Sequence, residues 1–158
     1  MINWKKTMLI RYFGLTKIPM ILFARPHVHT LDSHQCDIGI PLRRRTMNHL
    51  KSMYIGVLIL GADLAAGLLA MDMISKSDRK LSLVFKDVQA DFLKRVDGHA
   101  RFICNDGPKI AELIQKVIET GERQDETLTI LVTVPGTYGD EVLANISLTL
   151  SLKEKDQA

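Results

Sequence analysis

One segment restricts the fold of this chain more than any other: the run from Tyr54 to Ser75, apolar or small on nearly every side, with Asp63 at its middle and Asp72 near its end. Val57, Leu58, Ile59, Leu60, Leu64, Leu68, Leu69, Met71 and Ile74 supply bulk, and no helical face is left polar. A helix apolar all round must be enclosed. Its length approaches a membrane span, but a carboxylate at mid-depth argues against spanning and for a core helix. Gly56, Gly61, Ala62, Ala65, Ala66, Gly67 and Ala70 make the surface narrow. Each glycine costs a helix roughly 1 kcal/mol relative to alanine, so the spacing predicts close packing that compensates. The expected arrangement is a sheet wrapped around this helix.

The flanking segments supply the strands. His27 to Leu31 and Cys36 to Leu42 surround the turn-prone Asp32-Ser33-His34 and read as a hairpin, with Pro41 marking a strand end. In the stretch Lys80 to Lys94, apolar residues occupy odd positions at Leu81, Leu83 and Phe85, then even ones at Val88, Ala90 and Phe92. A change of parity near Lys86-Asp87 predicts a bulge. Val96-Asp97-Gly98 turns the chain into a strand with Ala100, Phe102 and Cys104 on one face. A surface helix over Pro108 to Thr120 follows, capped by Asp106 or Gly107, stopped by Gly121 and striped by Ile110, Leu113, Ile114, Val117 and Ile118. Leu128 to Val134 and Val142 to Leu152 alternate as a closing antiparallel hairpin. The fold class is α+β. Residues 1–25 read as a basic amphipathic helix, 26–153 as one domain, and Lys153 to Ala158 as a frayed tail.

Composition narrows the functional classes. The chain has 158 residues, 46% hydrophobic and 25% charged, enough for one core and unlike a disordered polymer. A net charge of +3 with 6% aromatic residues argues against a nucleic-acid interface, where basic and stacking groups are concentrated together. The first 30 residues carry Lys5, Lys6, Arg11, Lys17 and Arg25 and no acid, as a targeting segment would. The short apolar stretch Ile18 to Ala24 contains a proline and runs into Arg25-Pro26, so a helix covering the sheet or a partner subunit is preferred. Cys36 and Cys104 read as buried free thiols of a cytoplasmic protein. His27, His29, His34 and Cys36 lack a zinc-binding spacing, and no metal is expected.

The residues entering the apolar helix carry a resemblance. Asn48-His49-Leu50-Lys51-Ser52-Met53-Tyr54-Ile55-Gly56 is followed by Asp63, fifteen residues after Asn48, and later by Ser82-Leu83-Val84-Phe85-Lys86-Asp87. This resembles the PaaI-type hotdog thioesterases, in which an Asn precedes a His-Gly-Gly at the start of the central helix and an Asp lies within it. Tyr54-Ile55-Gly56 stands in the His-Gly-Gly slot, so Tyr54 replaces the histidine and Ile55 the first glycine. The resemblance implies a hotdog fold: an antiparallel sheet around the long helix Tyr54–Ser75, with an N-terminal helix and an extra surface helix. It also implies acyl-CoA thioesterase activity at a site shared across a homodimer or homotetramer, with coenzyme A as part of the substrate and no other cofactor.

The site residues expected on that basis are Asp63 as general base, backbone N–H groups at Ile55 and Gly56 polarising the thioester carbonyl, and Asn48, Tyr54 and Ser82 assisting. His49, Arg44, Arg45, Lys94 and Arg95 are expected to bind substrate, the cations through coenzyme A phosphates. Two rival readings are a non-catalytic acyl-binding or assembly domain and a hotdog hydratase or dehydratase pairing His49 with Asp63.

Overall fold

The computed structural model describes residues 1–155. Six antiparallel strands form one sheet in the order β1-β2-β4-β5-β6-β3. The chain begins with α1 (Trp4–Thr16) and α2 (Pro19–Ala24), then the hairpin β1 (His27–Leu31) and β2 (Cys36–Ile40). The long helix α3 (Ile55–Lys76) follows, then β3 (Leu81–Phe92), β4 (Ala100–Cys104), α4 (Gly107–Thr120), β5 (Gln124–Thr133), the single turn α5 (Pro135–Tyr138) and β6 (Val142–Glu154). This is the α+β hotdog arrangement expected from the apolar run.

The central helix meets the requirement its glycines set. A Cβ on Gly61 would lie 2.4 Å from the ring of Phe102, which is fully buried on β4. Helix and sheet are therefore within contact distance of backbone there, and the dispersion gained replaces the helical propensity lost. Ala62, Ala65, Ala66, Leu69 and Ala70 are fully buried along the same helix. At 22 residues α3 is long and apolar enough to cross a membrane, but half of its most apolar window is buried within this domain.

The parity change in β3 is a register shift against β6 between Phe85 and Val88. Cys36 and Cys104 are free, buried and directly opposite each other on β2 and β4. Burial pushes the Cys104 thiol up to about 11 and raises Cys36 as well, so neither is a ready nucleophile.

Three local expectations require correction. The N-terminal segment is two helices rather than one, broken at Lys17-Ile18 ahead of Pro19, and it is not amphipathic in the usual sense: α1 buries Thr7, Ile10 and Gly14 while exposing most of its large apolar residues. Lys153 and Glu154 are not frayed, because β3 reaches far enough to pair Ser82 with Lys153 and Leu81 with Glu154; the rest of that expected tail, 156–158, lies outside the described residues. Asp106 occupies the N-cap of α4 but its carboxylate does not cap; it accepts from the Thr129 N–H at 2.7 Å and pairs with Lys109 at 3.3 Å.

At the other end of α4, Gly121 has φ +69 and its N–H donates to the Val117 carbonyl at 2.9 Å. Nothing would touch an added Cβ there, so Gly121→Ala isolates the backbone cost of the left-handed conformation. A loss of about 1–2 kcal/mol in denaturant unfolding is expected.

Candidate functional site

The N-terminus of α3 is built by a short loop. Asn48 Oδ1 accepts from the Leu50 N–H at 2.9 Å and the Ser52 N–H at 3.1 Å, and Lys51 takes φ +61 to close the turn. Tyr54 N–H donates to the Thr46 carbonyl, while the Tyr54 carbonyl accepts from Val57 and Leu58. No side chain caps the helix, and the Ile55 and Gly56 N–H groups precede its first closed turn. They sit at the positive end of a 22-residue helix. The Tyr54 ring lies against Gly56, where a Cβ would approach it to 2.6 Å.

Gly56 and Asp63, two helical turns apart, line one open groove of about 490 Å³. The β3 bulge, Phe85 to Val88, also lines it, together with Met20 of α2 and Leu148 of β6. Two other charged side chains reach this groove, and both are engaged elsewhere. Lys86 is paired with Asp125, and Asp87 accepts from the Thr149 hydroxyl at 2.7 Å. Asp63 has no such partner among the described residues. Burial alone holds its carboxyl above the usual carboxylate range. A half-buried, unpaired carboxylate of raised basicity beside an apolar wall is suited to taking a proton from water.

The other expected site residues are distributed as follows. Asn48, His49, Tyr54 and Ile55 line a second groove of about 320 Å³ with Met53, Leu58 and Phe92. His49 and Asp63 are thus in different grooves. Ser82 lies at the far end of β3, its hydroxyl donating to the Lys153 carbonyl at 3.1 Å; it lines neither groove. Lys94 bonds Glu141 at 3.1 Å and stands 4.1 Å over the Tyr138 ring, and Arg95 is exposed on the loop beyond β3.

Arg44 and Arg45 line a larger cavity, about 890 Å³, together with Arg43, Arg11, Arg25 and His27. Among the described residues, no carboxylate lines it. Burial, and then the neighbouring Arg11, lowers the pKa of His27, so the positive charge of the cavity is that of five arginines. Arg11 and Arg25 were not connected with the Arg43–Arg45 loop in the sequence; the only signal was the unbroken basic character of the first 30 residues. The bulge residues of the Asp63 groove were legible in the parity switch, which Ser82, taken from the same strand, obscured.

The fold has close counterparts among solved structures. A protein of Pseudomonas aeruginosa described as a probable thioesterase superposes with a TM-score of 0.77 at 23% identity, covering 94% of this chain and 96% of that one. A protein of unknown function from Chlorobaculum tepidum TLS gives 0.77 at 13% identity over 98% of both chains. A thioesterase of Haemophilus influenzae gives 0.64 at 15% identity, covering 92% of this chain and 90% of that one. No relative is found among curated proteins. The family model described as Domain of unknown function (DUF4442) matches residues 6–152, taking in most of α1 and the sheet through β6. The chain therefore belongs to the DUF4442 family, and its members' domain is here a thioesterase-like hotdog fold.

Proposed function

We propose that this protein hydrolyses acyl-CoA thioesters, with Asp63 activating the attacking water and the Ile55 and Gly56 N–H groups holding the carbonyl oxygen as it becomes an oxyanion. The observation that carries the reading is Asp63: an unpaired, half-buried carboxylate of raised pKa in the same groove as Gly56. Water attack forms a C–O bond at the thioester carbon and passes a proton to Asp63. Collapse of the tetrahedral intermediate breaks the C–S bond, and the proton leaves with the thiolate. Phe85, Val88 and Leu148 give the acyl chain an apolar wall. Arg44 and Arg45 offer the coenzyme A phosphates bidentate partners.

The long edge strand β3 supports a homodimer in which two copies pair here, since it pairs on one side only and exposes Val84, Val88 and Phe92. Such a dimer would bring a partner's residues towards the open Asp63 groove. The protein is expected to act in the cytoplasm.

Non-catalytic acyl binding is the second reading, favoured by Tyr54, an exposed phenol at the helix start where the resembled family has a histidine. The hydratase reading has less support, because His49 and Asp63 face separate grooves. Purified protein mixed with acyl-CoAs of graded chain length, with free thiol monitored, decides between the first two. Thiol release that disappears in Asp63→Ala supports the enzyme. Saturable acyl-CoA binding with no release by either protein leaves only the binding domain.

A further inference from the structure

The two N-terminal helices turn their apolar residues the wrong way for a soluble cover. On α1 the buried positions are Thr7, Ile10 and Gly14, whereas Trp4, Met8, Tyr12 and Leu15, spaced three or four apart on one face, are 59%, 59%, 66% and 65% exposed. On α2, Met20 and Phe23 are exposed as well, at 60% and 51%. Large apolar patches of this kind mark a surface that something else covers. The charges say what. Through Leu31 the chain has five lysines and arginines and no acid. Among the described residues only Lys6 of the five is ion-paired, with Asp72 of α3, and the cavity lined by Phe23 and Ala24 of α2 adds Arg43, Arg44 and Arg45. Phe23 joins the two features: it lines that cavity, and Arg45 stands 5.3 Å over its ring.

A second copy of this chain fits the face poorly. A two-fold contact puts the same patch on both sides, so a surface carrying Lys5, Arg11 and Lys17 would face another of the same sign. An anionic surface with an apolar interior satisfies both halves of the pattern, in the way basic helices with Trp, Phe and Leu settle into a headgroup layer.

We propose that α1, α2 and the Arg43–Arg45 loop form a docking surface for anionic lipid membranes, the arginine cavity receiving a lipid phosphate while Trp4, Met8, Tyr12 and Leu15 enter the interfacial layer. The inference does not need Asp63 chemistry, but it gives to lipid the cavity whose Arg44 and Arg45 the thioesterase reading gives to coenzyme A, so only one of these phosphates occupies it at a time. It goes beyond that reading by assigning a location to catalysis, since Met20 of the docked face also lines the Asp63 groove.

Trp4 is the only tryptophan and reports directly. The full chain is mixed with vesicles of phosphatidylcholine alone, or of phosphatidylcholine with phosphatidylglycerol, and flotation is measured alongside Trp4 emission. With phosphatidylglycerol present, the protein floats, Trp4 emission moves to shorter wavelength, and brominated acyl chains quench it; raised salt reverses all three. The double variant Arg43→Glu, Arg44→Glu lowers the bound fraction about tenfold or more. Met8→Gln with Leu15→Gln lowers it as well, and the unfolding midpoints of both variants check that they remain folded. Equal binding to both vesicle types, or binding unaffected by the arginine variants, overturns the proposal. So does a Trp4 that resists acrylamide in free protein and becomes accessible on dilution, which would make this face a subunit interface.

Discussion

Replacing Asp63 by asparagine is expected to reduce thioester hydrolysis by about 10²- to 10⁴-fold while making the fold more stable at neutral pH. The two effects have one origin. Burial in the groove, unrelieved by any partner among the described residues, raises the Asp63 pKa above its unfolded value. The folded chain then holds a proton that the unfolded chain releases, so stability falls as pH rises from the unfolded value near 3.9 to the folded one, and the penalty is constant above that. Asparagine carries no charge and incurs no such penalty. The stability difference between variant and parent should therefore be absent near pH 3, open as pH rises past about 4, and be complete above the folded pKa. Urea unfolding across pH 3 to 7 checks it. A variant less stable than the parent at pH 7 would show that the carboxylate is structurally bonded, and the general-base role would lose its support.

The second large effect lies in the core. Phe102→Ala is expected to cost about 3–5 kcal/mol, because the ring is fully buried against α3 and little can collapse into its place. Gly61→Ala alone is expected to cost about 1–3 kcal/mol through overpacking, despite the better helix propensity of alanine, since its methyl would meet the ring at 2.4 Å. In the Phe102→Ala background the same methyl enters the vacated space, so the two changes should be strongly non-additive, with a coupling of about 1–3 kcal/mol. Phe102→Leu serves as the background if the alanine variant is too unstable to measure. Additive costs would mean that helix and sheet are not in contact at this point.

Much of the architecture was legible because it rests on local patterns. A run apolar on all sides has few places to go, and glycines within it signal the approach of another element. The β3 bulge was legible for the same reason, as inward and outward residues exchange places once and the exchange is written in the order of side chains. The N-terminal helices were misread because helical periodicity assigns the apolar face to the core, and here Thr7, Ile10 and Gly14 face inward instead. That inversion depends on what α1 packs against: the Thr7 hydroxyl accepts from the Val28 N–H of β1 at 2.9 Å, and Gly14 lets α2 come close.

By itself, then, the sequence determined the long buried helix, the acid at its middle, the strands that could wrap it and the open helix N-terminus at Ile55 and Gly56. Only the tertiary structure decided which groups share a space. Asp63 faces the bulge of β3 and Met20 rather than Ser82 or His49, and Arg11 and Arg25 join Arg43, Arg44 and Arg45 across at least 17 intervening residues. Periodicity specifies which side of an element is apolar. Which two sides meet is set by packing between segments distant in the chain, and no local pattern records it.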